Sequence, residues 1–594
     1  MAERPRKRYN FLKWIGGVIL FTVILASLAS WYVSVKIRPI VTAEIKSLVL
    51  KTTDSLYHVE FSDIKTNFLT GNASMLNVKI IPNTHILKKL IALKRAPNNM
   101  YTIQLKKVSI RGFHPDVFFR EQKLNIDLIL FEKPQVIMAN KQLAFNENKP
   151  PRPGKPPYQY IKPYLKELRV KNIVFKDIKF KYVNNNLPQP EEHSVENMKV
   201  TLTDWLIDPT SAEDRSRMYL LKDISLSVED YKYATPDSLY HINVNQLDFR
   251  AATGRLMIKQ FGLVPRYDEM KFGKVAGLEK QRYNIEMSNI SMSGINFPLY
   301  VLKQELYARE MNIKNGFVAV FNNNTYIAPK ISKVGKDPHL LFQALKGLIT
   351  VRKLNLEGVN ISYSEFDRDS QQKGVINFDN TNGSITNVTN SPRYKFKDHV
   401  MIADLRTDMM GSGSLHVYFR FDLYSKDGAF AYNGSLTNLN GRTLNKITKP
   451  LGMLQIRSGY VNKLDFSIKA NNKLANGVLN FAYQDLNVGL LKKEKGKENL
   501  SKMGWASFFA NQMVINSSNP DRTGKFVSAT INYKREPSAT FFSFIWRTLF
   551  VGIKNSVGLT DAKEAKINDR IAQFEQIKID RDARRAKKEQ RKNR

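Results

Sequence analysis

Cysteine is absent from all 594 residues. Its absence excludes disulfides, thiol nucleophiles, cysteine–zinc sites and iron–sulfur clusters, while leaving the cellular compartment open. Histidine is scarce. The eight present (His58, His85, His114, His193, His241, His339, His399 and His416) include no HxH or HExxH spacing, so a histidine-based metal site has no sequence support. No Walker motif, GxSxG elbow or protein-kinase set occurs. The one "GSGS", at 411–414, precedes a strand pattern instead of opening a helix, which makes it a poor phosphate cradle. The chain reads as a non-enzyme with no cofactor and no metal.

Acidic residues are also in the minority. There are 54 Asp and Glu against 92 Lys and Arg, a net charge of +38. Residues 1–13 contribute +4 and residues 561–594 contribute +5, leaving +29 on the body. Such a surface favours anionic partners: phospholipid headgroups, lipopolysaccharide or nucleic acid. The basic residues alternate along strand patterns and do not cluster with aromatics, which speaks against nucleic acid.

Long apolar runs are few. Trp14 to Val35 is 22 residues without a charge, enough to cross a bilayer at 1.5 Å per residue. Five basic residues precede it and only Lys36 and Arg38 follow closely. The positive-inside rule then puts a basic tail, 1–13, in the cytoplasm, with 14–35 as a single transmembrane anchor and the body beyond the membrane. A cleaved signal peptide ending near "SLA" at 27–29 is the rival, but the apolar run continues through Trp31, Tyr32 and Val33.

What the chain does have is a duplication. "DSLYH" stands at 54–58 and again at 237–241, and the match extends ungapped over 29 positions with eight identities. One or two would be expected from composition, at about one in twenty per position. "YTIQLKKVSIRG" at 101–112 aligns with "YNIEMSNISMSG" at 283–294, and "KDIKFKY" at 176–182 with "VNISYSE" at 359–365. The spacing predicts a first β-module over 38–200 and a second, its repeat, over 215–390. His58 and His241 are equivalent repeat positions, which favours a structural role.

These segments alternate apolar and polar residues, the signature of strands with one greasy and one wet face. Leu415, Val417, Phe419, Phe421 and Leu423 share one side of "LHVYFRFDL"; Leu464, Phe466, Ile468 and Ala470 share one side of "KLDFSIKA". Asn-Gly pairs at 315–316, 382–383, 433–434 and 476–477 read as hairpin turns. Short helices are expected near Ile40–Leu50 and Leu340–Leu345, and "NKPPRPGKPP" at 148–157 reads as a stiff connector. The fold class is therefore mainly β: an elongated, repetitive antiparallel sheet forming a groove, with one N-terminal transmembrane helix and a C-terminal amphipathic helix. A further β-region is expected over 395–537, the amphipathic helix over 538–559 and a charged helical tail over 560–594.

On the 538–559 helix, Arg547 and Lys554 share a stripe with Ser543, apart from Phe541, Ile545 and Leu549. Two roles stay open: a helix lying in a membrane interface, with the basic side chains reaching headgroups, or a helix capping the end of the sheet.

The basic tail, single anchor, short amphipathic helix and strands such as "IKNGFVAVF" and "LNLEGVNISY" resemble the AsmA-like proteins of the Gram-negative envelope. The segment "GAFAYNGSLTNLNGRTLNKITKPLGMLQIRSGYVNKLDFSIKANNKLANGVLNFAYQDLNVGLL", residues 428–491, carries the resemblance furthest. There a strand leads to a crossover and then to paired long strands. Together with TamB and the bridge-like lipid-transfer proteins, that family implies a long apolar β-groove conducting phospholipids between the inner and outer membranes, in support of outer-membrane integrity. The resemblance implies phospholipids or other anionic envelope lipids, the inner membrane, and an outer-membrane or envelope protein at the far end as partners. Acyl chains would then touch Ile285, Met287, Leu415, Val417, Phe419, Phe421, Leu464, Phe466 and Ile468. A non-enzymatic scaffold for envelope-protein assembly is the alternative use of the same sheet, and sealed sandwich cores are the ordinary fate of such apolar faces.

Overall fold

The computed structural model describes residues 37–559, apart from 68–70, 147–156, 187–188, 215, 277–279, 326–331, 494–499 and 503–514, together with scattered positions between 563 and 584. The anchor segment 14–35 and nearly all of the proline-rich stretch lie outside the described residues. The protein is mainly β, with 55% strand and 20% helix. It divides into two compact units. One is Met1–Thr235 with His241–Phe261 and Ile290–Ala308; the other is Pro236–Tyr240 with Gly262–Asn289 and Arg309–Arg594. The division passes through the second repeat, so the units are not the repeats.

The described chain opens with α1 (Ile37–Thr52), then β1 (Tyr57–Glu60), β2 (Asp63–Asn67) and β3 (Asn72–Pro82). There follow α2 (Thr84–Ala92), β4 (Asn99–Phe113), α3 (Pro115–Glu121), β5 (Lys123–Glu132) and β6 (Gln135–Asn140). Next come α4 (Pro157–Ile161), β7 (Glu167–Asn184), β8 (Glu191–Ile207), β9 (Asp223–Ala234) and β10 (Tyr240–Arg250). β1 and β2 both pair with β3, which pairs with β4; β5 and β6 share the far edge of β4 and together flank β7. β7, β8, β9 and β10 then pair in succession, antiparallel. β5 and β6 run parallel to β7, a departure from the all-antiparallel expectation. The chain must return along the sheet before β7 begins, and α4 lies in that connection. Ile45 and Val49 of α1 are buried with Leu124, Ile129, Leu168 and Val170, so the first strands rest on a closed core.

The chain continues through β11 (Arg255–Pro265), α5 (Glu269–Ala276), β12 (Arg282–Ser293), α6 (Phe297–Lys303), β13 (Glu305–Asn323), α7 (Pro338–Gln343) and β14 (Leu348–Phe366). Then come β15 (Lys373–Thr389), α8 (Pro392–Lys397), β16 (Val400–Met409), β17 (Gly413–Asp422), β18 (Phe430–Asn440), α9 (Asn445–Gly452), β19 (Leu454–Ala470) and β20 (Leu474–Lys493). The last elements are β21 (Leu500–Lys502), β22 (Ser528–Lys534) and α10 (Phe541–Ser556). β14 to β20 pair in sequence order, all antiparallel, and β20 also pairs with β21 and β22. The crossover expected near 441–453 is instead a helical connection within an antiparallel pair, since β18 and β19 are hydrogen-bonded along their length.

The duplication carries down to single hydrogen bonds. β3, β4, α3, β7 and β8 recur as β11, β12, α6, β14 and β15 at a nearly constant offset. In both copies the tyrosine of DSLYH accepts a hydrogen bond from the backbone N–H of a tyrosine near the start of β4 or of its counterpart β12. Tyr101 donates to the Tyr57 hydroxyl at 3.1 Å, and Tyr283 to the Tyr240 hydroxyl at 3.3 Å. Burial raises both acceptor phenols, Tyr57 to about 12. Gly71 and Gly254 have φ of +61° and +58°, and an added Cβ would lie 2.4 and 2.7 Å from the carbonyl oxygens of Phe113 and Ile295. Only glycine fits that close strand-end contact. The modules are not purely β, however: α2, α3 and α4, like α5, α6 and α7, sit at strand ends.

None of the four Asn-Gly pairs is a hairpin turn. They lie inside β13, β15, β18 and β20. Asn315 has φ +62°, a left-handed residue that asparagine tolerates. At Gly477 an added Cβ would lie 2.1 Å from the Ser467 carbonyl oxygen, so the glycine admits the neighbouring strand. Single left-handed residues recur in mid-strand: Asn77, Asp177, Asn197 and Gln246 in the first unit; Asn289, Asn315, Gly358 and Asn380 in the second. Such bulges reset side-chain alternation by one. In β7 the apolar set shifts from Ile173 and Phe175 to Ile178 and Phe180, and in β14 from Leu354 and Leu356 to Val359 and Ile361. The pairings shift register at those same places.

Candidate functional site

Two apolar faces have opposite fates. The first belongs to β17, β18, β19 and β20, where Leu415, Phe421, Phe430, Tyr432, Leu464, Phe466, Ile468, Leu479 and Phe481 form one buried cluster. α10 covers it. The most buried stripe of α10 is Phe544, Thr548, Gly552 and Ser556, spaced four apart. Three of these are small because the helix lies close to the sheet: a Cβ on Gly552 would stand 2.7 Å from Ile531 Cδ1. Phe541 completes the seal with ring centroids 5.4 Å from Phe430 and 6.4 Å from Phe419 and Phe421.

Buried charge holds the start of this helix. The Arg535 guanidinium donates twice to Asp337, at 2.9 and 2.7 Å, and once to the Ala539 carbonyl at 3.0 Å. The two side chains are 0% and 1% exposed, and the guanidinium lies over the Phe544 ring. Two residues from Asp337, His339 is buried between Phe421 (4.7 Å), Phe430 (5.8 Å) and Phe541 (6.3 Å). That burial disfavours its charged form. Further along, Arg547 pairs with Glu536, and the Tyr363 hydroxyl donates to Glu365 at 2.6 Å. Burial pushes the Glu365 carboxyl above its ordinary range.

The second face is on β7 to β10 and lies within the first unit. Phe180 stands opposite Val195 and Tyr182 opposite His193; Tyr231 stands opposite Val244 and Tyr233 opposite Ile242. The His193 ring joins the two pairs, stacking on Tyr182 at 6.1 Å and meeting Tyr233 edge-on at 4.8 Å. All eight side chains are half-buried. The reverse face is polar and ion-paired: Lys179 with Glu196 at 3.2 Å, Lys181 with Glu192 at 2.7 Å, and Asn245 donating to Asp230 at 2.6 Å. Helices meet these strands near their ends. Ile45 and Val49 of α1 and Ile161 of α4 share a buried core with Leu168 and Val170 of β7 and Trp205 and Ile207 of β8. Phe272 of α5 lies 5.4 Å from Tyr240, and Phe297 of α6 lies 5.1 Å from Phe249. None of the eight side chains above belongs to that buried core. A sheet whose greasy side carries no second layer is a surface that water wets at a cost or a ligand covers.

Of the groove positions read from the sequence, Leu415, Phe421, Leu464, Phe466 and Ile468 are in the sealed cluster, with Val417 and Phe419 packed against it. Ile285 and Met287 on β12 are half-buried, and Met287 lies over Gly316. On α10, Phe541, Ile545 and Leu549 pack against the core cluster. Of the two roles left open, that packing favours capping. Arg547 is spent on Glu536, and Lys554 lies over the Phe550 ring. The alternation of the β7–β10 strip is visible in "KFKY", "YKY" and "HINV". The pattern marks a face as apolar without saying whether anything lies on it.

Among the described residues, no group of three His, Asp or Glu could hold a metal ion, and no helix is long and apolar enough to cross a membrane. No family model and no curated protein matches the chain.

Proposed function

We propose that the chain is a membrane-anchored β-groove protein that carries phospholipid acyl chains, moving them between the inner and outer membranes from a body beyond the inner membrane. The observation that supports this most is the half-buried apolar strip of β7–β10, backed by an ion-paired polar face and lying outside the buried core of the first unit. A hydrocarbon chain lying across Phe180, Val195, Tyr231 and Val244 would gain about 0.8 kcal/mol for each methylene removed from water. Glu191, 3.5 Å from His193, borders the strip at the start of β8; the crossed positions themselves are uncharged, so holding the chain requires no chemistry and headgroup selectivity is weak. The basic body favours anionic lipid surfaces. The work is binding and release, without a catalytic step.

The test is a photo-crosslinking residue at Val244 in the full-length chain, expressed in a cell with two membranes, followed by mass spectrometry of the adducts. Phospholipid adducts are expected. Adducts to protein with little lipid would replace the conduit with an assembly scaffold.

A further inference from the structure

The second unit carries an exposed apolar patch at the end of its strands, outside the side chains of its covered core. Three connections meet at one end of its strands. α7 and the turn after it, α8, and the link between β17 and β18 are fastened together by polar contacts. The Lys395 ammonium donates to the Gln343 side chain at 2.9 Å and lies over the Tyr424 ring at 5.6 Å. Gln343 donates to the Thr389 carbonyl at 2.9 Å, Asn390 donates to the Gly347 carbonyl at 2.8 Å, and His399 stacks on Tyr424 at 5.8 Å. On this braced platform Leu341 and Leu345 are each 49% exposed, Tyr424 is 51% and Phe396 is 84%. Lone exposed apolar side chains need no explanation, but four large ones on adjoining connections do.

Charge selects the occupant. Exposed Lys346, Arg393, Lys397 and Lys426 lie on the same connections as the four side chains. The acids there are Asp398, Asp422 and Asp427; Asp422 accepts from the Tyr424 N–H at 2.9 Å, and Asp427 is engaged by Ser425 at 2.5 Å and Asn471 at 2.9 Å. Large apolar groups among cationic side chains match a lipid surface with negative headgroups, where rings and aliphatic ends enter the interface and lysines meet phosphates.

We propose that the Leu341–Leu345–Phe396–Tyr424 platform docks this protein on an anionic bilayer surface. The docking is independent of the β7–β10 strip and would stand if that strip bound no lipid. Because the chain has no cysteine, Phe396→Cys in the full-length protein takes a single environment-sensitive fluorophore. The protein is reconstituted in phosphatidylcholine liposomes. It is then mixed with separate vesicles, of phosphatidylcholine alone or with a third phosphatidylglycerol, that contain a doxyl-lipid quencher. Quenching is expected with the anionic vesicles and not with the neutral ones, while a label at exposed Met257→Cys stays bright. Lys397→Glu should weaken the apparent affinity about fivefold, and Leu341→Ser with Leu345→Ser about tenfold or more. No quenching, equal quenching by both vesicle types, or a label shielded by protein before vesicles are added would each overturn the proposal. The last of these would point to a protein partner.

Discussion

Placing one carboxylate on each of the two apolar faces separates a lipid-bearing surface from a sealed core. Val244 lies on the half-buried strip, so the Asp of Val244→Asp can keep its charge hydrated and the sheet beneath it stays paired to Tyr231. The loss falls on the ligand. A hydrated carboxylate excludes roughly three to four methylenes, about 3 kcal/mol at about 0.8 each, which is about a hundredfold in affinity. Phe421 is buried among Phe430, His339 and Phe541. Phe421→Asp forfeits about 3–5 kcal/mol of packing and several more for an unpaired buried carboxylate or its forced protonation. That sum rivals the whole stability of a domain, about 5–15 kcal/mol. Purified full-length variants are to be compared by thermal melting and by mass spectrometry of co-purified phospholipid. Val244→Asp should melt like the parent and carry little lipid; Phe421→Asp should be unfolded or scarcely recovered. A Val244→Asp protein that folds and retains its lipid would refute the assignment of the strip, and a stable, abundant Phe421→Asp protein would refute the sealed face.

Two further expectations concern the covering helix. Asp337→Ala leaves the Arg535 charge buried without its partner and should cost about 3–5 kcal/mol in urea denaturation, exposing the segment around residue 540 to protease. Asp337→Leu with Arg535→Met should recover most of that, and a single-variant loss below about 1 kcal/mol would contradict the buried pair. His339 is held below its ordinary value of 6.5 by burial. The unfolded chain therefore takes up the proton first as pH falls, so the stability from keeping His339 neutral is present above about 6.5 and declines below it. His339→Leu should flatten that part of the stability–pH curve; unchanged curves in parent and variant would exclude the linkage.

The sequence by itself determined what depends on neighbours along the chain. Alternation in "LHVYFRFDL" and "KLDFSIKA" produced β17 and β19, because a pleated strand turns successive side chains to opposite faces. The helical stripe after Thr540 produced α10. The repeated DSLYH marked two copies of one strand order, matched down to the Tyr57 and Tyr240 hydroxyls. Asn-Gly was misleading for a physical reason: a left-handed asparagine serves a mid-strand bulge as well as a turn, and a glycine without Cβ serves a crowded strand, as at Gly477. Only the tertiary structure decided which apolar face was covered. β17 and β8 show the same two-sided pattern, yet Phe419 and Phe421 of β17 lie against Phe541 of α10, while His193 and Val195 of β8 stay outside the buried core that takes in Trp205 and Ile207. The start of the covering helix is fastened by the Asp337–Arg535 pair, whose members are 198 positions apart. Periodicity reports that a face must leave water; it carries no information about which distant segment, or which molecule, will cover it.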